Sequence, residues 1–446
     1  MEKEEKLLTL SEFRKELNIP LVLARKLISW GIVEGTLAVD GTIRVTEEEL
    51  LEAKEIIKNP WRKGYLYFKS LGPGLITGAA DDDPGGIGTY SSVGAALGLK
   101  IIWLSLWLLP LMLAVQETCA RIGIITNRGL AGVLKKHYTK KLVALIVLLL
   151  IIANIANIGA DLGAMAAATK LLVNFNFVLL AIFYAVIIIL IEILIPYQLY
   201  SKILKWLTLS LVAYIITGFI VHPEWWTIIK EAIIPDLVFK KEYLFAVVAV
   251  FGTTISPYLF FWQTSEEVEE NVEIERTGPV TQEVRIAQMR TDVKSGMVFS
   301  NLVFFFIIVT TASVLFKNGI NDIGSAEQAA QALRPLAGDK AFLLFTLGIV
   351  GTGLLAVPIL AGSGAYALSE LMNWKEGLAK KYSQAKSFYL VITISILVGL
   401  GLNFLGVEPI KALYYSAFLN GIIAAPLLFV IMVVGNDDLY RWRRSQ

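Results

Sequence analysis

Residues 78–90, GAADDDPGGIGTY, place three consecutive carboxylates, a proline and two adjacent glycines inside an apolar stretch that runs from Leu71 to Leu99. Proline removes a backbone donor and tandem glycines destabilise a helix, so we predict that the stretch unwinds over residues 83–86. An ionised carboxylate near the centre of a bilayer costs about 2.5–3.5 kcal/mol and is rarely retained without a partner or a task. Because the stretch has no lysine or arginine at that depth, a bound cation is the natural partner for Asp83.

The whole chain has the composition of a polytopic membrane protein. Of its 446 residues, 56% are hydrophobic and 17% are charged, whereas a soluble domain carries about 25% charged residues. Lysines and arginines concentrate in alternate loops, so the positive-inside rule predicts a multi-pass protein of the cell membrane with both termini in the cytoplasm. Ten apolar runs have the length that crosses a hydrocarbon core, at 71–98, 101–122, 141–168, 176–195, 203–221, 243–264, 295–316, 341–370, 387–405 and 409–435.

Residues 1–62 differ from the rest, and we expect them to form a small cytosolic module ahead of a transmembrane domain at residues 63–446. Their order of helix, turn, helix, strands and a helix capped at Thr46 resembles a MerR-type winged helix-turn-helix. The segment carries nine Lys and Arg against twelve Asp and Glu up to Asn59, whereas DNA binding needs a basic face. We therefore interpret it as an interaction or regulatory module with a protein partner rather than as a nucleic-acid reader.

The sixth apolar span carries a matching interruption, FGTTISPYLFFW at residues 251–262, with Ser256 and Pro257 at mid-depth. With ten spans, breaks in the first and sixth lie at corresponding places in two five-helix halves. Such paired breaks indicate a transporter binding site at the membrane midplane; an ordinary proline kink at Pro257 is the alternative. The acidic run SEEVEE that follows, at residues 265–270, is expected to be a solvated face.

Further polar side chains lie deep in the spans. Asn154, Asn157 and Asp161 follow helical spacing and share one face of the third span. This stripe favours an ion route, with interhelical hydrogen bonding as the alternative. Ser416 and Asn420 form a shorter pair in the tenth span, where packing is favoured over a ligand role.

Three segments carry a family resemblance: GPGLITGAADDDPGGIGTY at 72–90, GTTISPYLFFWQTS at 252–265 and QETCARIGIITNRGLAGVLKKHY at 116–138. The first resembles the first-helix Asp-Pro-Gly-Asn region of the Nramp divalent-metal transporters, and the next is similar to their sixth-helix Ala-x-x-Met-Pro-His region. The third resembles the connection between their second and third helices. The resemblance covers roughly residues 66–435. It implies an all-α, LeuT-like fold with two inverted five-helix repeats, broken helices 1 and 6, and alternating access.

The resemblance also implies a metal site. Asp83 matches the metal-binding aspartate of the family, and Ala80 and Thr253 stand at positions whose carbonyls join it. Gly86 replaces an asparagine ligand, and Ser256 replaces a methionine.

Residues that replace family histidines and acids define a candidate ion or proton pathway. Tyr258 and Gln263 correspond to the histidines of the family's sixth helix, and Asp161 lies near the acidic pair of its third helix. Further pathway candidates are Asp82, at the extracellular mouth, Asn157 and Asn420.

These substitutions shift the predicted selectivity toward hard ions. A thioether favours transition metals, whereas hydroxyl, carbonyl and carboxylate oxygens suit Mg²⁺ and Mn²⁺. The small side chains at Gly86 and Ser256 also leave room for a cation that keeps several waters. The pattern is similar to the magnesium-transporting branch of the Nramp-related proteins, so the expected cargo is Mg²⁺ or Mn²⁺, with Fe²⁺ as a further candidate and no resident cofactor. Loss of the titratable histidines predicts that proton coupling is weak or absent.

Other functions fit the sequence to different degrees. An ordinary Mn²⁺/Fe²⁺ proton symporter and a membrane metal sensor that signals through the N-terminal module stay open. An organic-solute carrier is disfavoured because related folds bind anionic groups at half-helix ends, where this chain has Asp83. An enzyme is not expected, since His137 and His222 lie in loops on opposite sides and the zinc motif H-E-x-x-H is absent from the sequence.

Overall fold

The N-terminal segment folds around a small core of its own. The computed structural model describes residues 7–29, 32–33, 36–37, 43–62, 73–195, 211–277 and 282–445 of the chain. The segment's elements are β1 (Leu7–Thr9), α1 (Leu10–Glu16), α2 (Leu21–Ser29), β2 (Thr36–Leu37), β3 (Ile43–Thr46) and α3 (Glu47–Ile57). The strands form an antiparallel sheet in the order β1-β3-β2.

Local sequence signals explain how this segment folds. Thr46 accepts a hydrogen bond from the backbone N–H of Glu49 and begins α3 as predicted. Phe13, Leu23 and Leu27 are fully buried in its core. The likeness to a MerR-type module and the boundary at residue 62 stay predictions, because residues 63–72 lie outside the described part of the chain.

The rest of the described chain is helical. Its helices before the second interruption are α4 (Pro73–Asp81), α5 (Pro84–Leu97), α6 (Trp103–Thr126), α7 (Leu130–His137), α8 (Lys140–Lys170), α9 (Phe177–Leu194), α10 (Val212–Ile220), α11 (Trp225–Ile233) and α12 (Lys241–Thr254). Those after it are α13 (Pro257–Thr277), α14 (Gln282–Val314), α15 (Ala326–Ala330), α16 (Arg334–Ala337), α17 (Ala341–Met372), α18 (Lys386–Leu402) and α19 (Pro409–Ser445).

Eight helical segments among the described residues are long and apolar enough to cross a membrane. They coincide with eight of the ten predicted spans. The remaining two predictions fall on the interrupted segment 73–97 and on residues 203–221, of which 203–210 lie outside the described residues. The structure therefore confirms a polytopic helical protein, and the count of ten remains a prediction.

Both predicted breaks are present, but the first was expected over residues 83–86 and lies at residues 82–83, because Pro84 begins the next helix and Gly85 and Gly86 continue it. The first span stops at Asp81 and resumes at Pro84, with Asp83 in an extended conformation as the N-cap of α5. The sixth stops at Thr254 and resumes at Pro257. Proline suits the first turn of a helix because its missing N–H would have no partner there, so each proline begins the outgoing half rather than kinking a continuous helix.

The helices around the breaks are in backbone contact. A methyl group added to Gly252 would collide with the carbonyl oxygen of Ala417 and the backbone nitrogen of Gly421 on α19. Small residues at such positions let membrane helices approach closely.

We expect Gly252→Ala to lower the free energy of unfolding by about 1–3 kcal/mol, the usual cost of overpacking, and to lower the melting temperature of the purified protein. The matched control is Gly401→Ala, because the added methyl group meets nothing within 4 Å. An unchanged melting temperature for Gly252→Ala would contradict this close packing.

Candidate metal centre

The first break brings three oxygen groups together. The hydroxyl of Tyr258 donates to the carbonyl of Ala80 at 3.0 Å and to Oδ2 of Asp83 at 3.2 Å. The other carboxylate oxygen, Oδ1, accepts from the backbone N–H of Gly86 at 2.6 Å. Tyr258 lies at the start of α13, so its hydroxyl joins the two interrupted helices at the point where both lose their helical bonds.

Further hydrogen bonds join the two broken helices on either side of this point. On the α5 side, the hydroxyls of Tyr90 and Thr254 lie 2.9 Å apart. On the α4 side, the hydroxyl of Thr77 donates to Oε1 of Gln263 at 2.6 Å. Among the sequence-predicted residues, these contacts join Ala80 and Asp83 of the first segment to Tyr258 of the second.

Asp83 is 5% exposed, and the described residues contain no ion pair to it. Its neighbours Asp81 and Asp82 are fully buried, and both accept from the hydroxyl of Ser300 on α14, at 2.7 and 3.3 Å. One oxygen of each of these two carboxylates has no hydrogen-bond partner in the described structure. Within the described ranges, the partners of these three carboxylates are hydroxyl and N–H donors.

Asp161 on α8 adds a fourth buried carboxylate. It is fully buried, it lies near enough to Asp83 for the two carboxylates to interact, and the backbone N–H of Gly85 is its hydrogen-bond donor. Asn157, one turn earlier, is 4% exposed and its amide nitrogen is unsatisfied among the described residues. Asn154 differs, because it donates to the carbonyl of Leu360 and to Ser363 across the helix interface. The stripe on α8 thus divides into a packing contact and a polar pair with spare hydrogen-bonding capacity.

In the second break, the polar groups form hydrogen bonds with one another. The hydroxyl of Ser256 donates to the carbonyls of Gly252 and Thr253 at 3.1 and 2.9 Å. The Thr253 carbonyl, which the resemblance assigns as a ligand, is therefore already bonded to the side chain assigned as another. Asn420 is 4% exposed, and its side-chain oxygen is unsatisfied within the described chain, while Ser416 bonds to its own helix at Leu413.

Two features were missed at the level of sequence. Nothing in the seventh span marked Ser300 as the donor for Asp81 and Asp82, because a single serine in an apolar run has no distinguishing pattern. The acidic run after the sixth span was expected to be solvated, and this was wrong: Glu266 and Glu267 are buried, and Glu267 pairs with Arg285 at 2.9 Å. A basic residue at the start of the next helix was the signal that could have indicated this pairing.

No group of three or more His, Cys, Asp or Glu side chains in the described residues is arranged to hold a metal ion. A cation bound here would therefore need mixed oxygen ligands, namely one or two carboxylates with backbone carbonyls, hydroxyls and water. Carboxylate, carbonyl and water ligands suit hard divalent cations in general.

Comparisons with known proteins agree with this architecture. The family model described as "Natural resistance-associated macrophage protein-like" (Nramp) matches residues 74–440. A relative from Yersinia enterocolitica, "Divalent metal cation transporter MntH", is 24% identical over 401 residues, covering 87% of this chain and 92% of the relative. A relative of the same name from Caldanaerobacter subterraneus is 25% identical over 381 residues, covering 82% and 86%. The crystal structure of the Eremococcus coleocola manganese transporter has a TM-score of 0.63 at 17% identity, covering 83% of this chain and 79% of that chain.

The relatives matched over most of this chain are named as divalent metal cation transporters, which is a class of membrane transporter. The family match covers most of the chain, and the chain belongs to the Nramp family. The transporter fold expected from the sequence is thereby confirmed.

We expect Tyr258→Phe to destabilise the protein, because Asp83 loses a donor that a buried carboxylate needs. Hydrogen bonds to charged groups contribute about 1.5–3 kcal/mol, so the melting temperature without divalent ions should fall. Tyr415→Phe is the control, since Tyr415 is 57% exposed. Equal melting temperatures for the two variants would show that the hydroxyl of Tyr258 does not support Asp83.

Proposed function

We propose that this protein transports divalent metal cations by alternating access, with the ion bound at the membrane midplane between the two broken helices. The observation that carries the proposal is Asp83, a buried carboxylate with no described ion pair, which lies beside the Ala80 carbonyl and the Tyr258 hydroxyl. A charge of this kind is stabilised when a cation is present. The names of the relatives, divalent metal cation transporter and manganese transporter, support the same class of cargo.

The proposed ligand set contains only oxygen atoms. Asp83 supplies the charge, Ala80 and Thr253 supply carbonyls, and Ser256 supplies a hydroxyl. Gly86 has no side-chain ligand to offer, and its N–H is bonded to Asp83.

Tyr258 fits this ligand set as more than a pathway residue. Its hydroxyl proton lies between the Ala80 carbonyl and the Asp83 carboxylate, the two groups that would hold a cation. When an ion binds there, the tyrosine proton must turn away and its oxygen can face the metal. The hydrogen bonds of Tyr258 thus hold the two ligands together before the ion arrives.

Hard oxygen ligands favour Mg²⁺ or Mn²⁺, with Fe²⁺ a weaker candidate. The further carboxylates of Asp81, Asp82 and Asp161 increase the negative field at the centre, which favours divalent over monovalent cations. With Asn157, Gln263 and Asn420 they would line the route of the ion. Proton coupling would be weak or absent, since no histidine is present in the two broken segments.

The setting of this function is the cell membrane, with both termini in the cytoplasm. The alternative is an ordinary Mn²⁺/Fe²⁺ proton symporter, which the manganese relatives favour. A membrane metal sensor that signals through the N-terminal module is the alternative of another class.

We expect Asp83→Ala to reduce Mn²⁺ uptake into proteoliposomes to the background level, because the remaining ligands are neutral. The control is Asp339→Ala, whose carboxylate is fully exposed and whose loss should leave uptake unchanged. Undiminished uptake by a correctly folded Asp83→Ala protein would refute the site. Repeating the wild-type assay with an imposed pH gradient separates uncoupled transport from proton symport.

We expect excess Mg²⁺ to inhibit Mn²⁺ flux through the wild-type protein. Ser256→Met should shift competition from Mg²⁺ toward the softer Cd²⁺ by about tenfold, which corresponds to about 1.4 kcal/mol, because a thioether is a soft ligand. Ser256→Leu is the control for side-chain volume without sulfur. Mn²⁺ flux that is insensitive to Mg²⁺ would show that the hard-ion argument is wrong.

A further inference from the structure

The first turn of α4 is held by a carboxylate on α14. Asp292 accepts from the backbone N–H of Gly74 at 2.7 Å and of Leu75 at 3.2 Å, and it is 5% exposed. These N–H groups are among those that a helix leaves unsatisfied at its N-terminus, where a negative charge is also favourable. Asp292 therefore fixes where α4 begins.

A chain of buried hydrogen bonds also holds α4 at Thr77, one turn after Pro73. Thr77 on α4 donates to Gln263 at 2.6 Å, and Gln263 donates to Oε1 of Glu267 at 2.9 Å. The other oxygen of Glu267 pairs with Arg285 at 2.9 Å. Because these groups are buried, separating any two of them leaves an unsatisfied polar or charged group.

The backbones of α4 and α14 also touch. A methyl group on Gly74 would lie 2.5 Å from the backbone nitrogen of Val293, and one on Gly78 would collide with the backbone of Gly296. The half-helix α4 is thus held against α14 along its length. At its other end α4 stops at Asp81 and is not continuous with α5.

The N-terminal module reaches the same face of α14. Nη1 of Arg25 on α2 donates to Oε1 of Gln288 at 3.2 Å, and Gln288 lies one helical turn before Asp292. Partial burial and the neighbouring charge of Arg285 lower the pKa of the Arg25 guanidinium, and Glu270 acts in the opposite sense. Arg25 therefore lies beside both Arg285 and Glu270, which themselves form an ion pair.

We propose that the N-terminal module regulates the movement of α4 from within the chain: through Arg25 and Gln288 it stabilises the α14 surface that holds α4 in place, and its release frees α4 to move. The inference rests on the proposed alternating access and cytoplasmic placement of the module, and it is independent of which ion is carried. It assigns a partner to the module, namely the transporter's own seventh span.

Hydrogen–deuterium exchange on the full-length protein in nanodiscs, without divalent ions, tests this proposal. We expect Arg25→Ala to accelerate exchange of backbone amides in residues 73–81 by about tenfold, since a local opening loses one supporting contact to a charged group. Gln288→Ala, on the other side of the contact, should reproduce the effect. Lys54→Ala is the control, because it removes a cation of the module whose partner is Glu16 at 3.1 Å.

The double variant Arg25→Ala/Gln288→Ala should exchange no faster than either single variant, because both remove the same contact. Asp292→Asn calibrates the measurement, since it weakens the hold on α4 directly. Unchanged exchange in Arg25→Ala and Gln288→Ala, with acceleration in Asp292→Asn, would overturn the proposal, and so would additive effects in the double variant. Since no metal is added, failure of the ion site at Asp83 leaves this outcome unaffected.

Discussion

The structure depends on how buried negative charge is tolerated where two helices are interrupted. Asp81, Asp82, Asp83 and Asp161 are all buried, and none of them forms an ion pair within the described chain. Desolvating even one carboxylate in a membrane is costly. Retaining four requires donors close by. The first break supplies the backbone N–H of Gly86 to Asp83, while hydroxyls on neighbouring helices, those of Tyr258 and Ser300, serve Asp83 and its two neighbours.

The three consecutive aspartates are not equivalent. Asp81 is the last residue of α4, Asp82 lies between the helices, and Asp83 is the N-cap of α5. Asp83 precedes α5 and accepts the N–H of Gly86, so the positive end of that helix stabilises its charge. Asp81 ends α4, where the helix dipole disfavours an anion. Ser300 offers its single hydroxyl proton to Asp81 and Asp82 together. Asp83 is therefore the carboxylate best placed to remain ionised and to meet a cation.

Local sequence signals were enough to predict much of the fold and some residues of the candidate site. Proline and glycine mark both breaks because their backbone chemistry acts within a few residues, and the length of apolar runs marks the spans. Asp83 was identified for the same reason, since a carboxylate in an apolar run is costly wherever the chain folds. Tyr258 was singled out as a pathway candidate only through its position in the family motif. Contacts between distant helices were beyond such signals: Asp292 lies 218 residues from Gly74, and Ser300 lies 219 residues from Asp81. In the sequence both residues resemble ordinary polar members of a long helix.

One face of α14 brings these distant contacts together. Gln288, Asp292, Gly296 and Ser300 are spaced by four residues and so form one ridge along the helix. In order, they contact the N-terminal module, the start of α4, the backbone of α4, and the carboxylates at its end. A shift or rotation of this ridge must change all four contacts, because backbone contact at Gly296 leaves no space for independent movement. The module and the buried carboxylates therefore both contact a single packed helix, which provides a continuous physical connection between them.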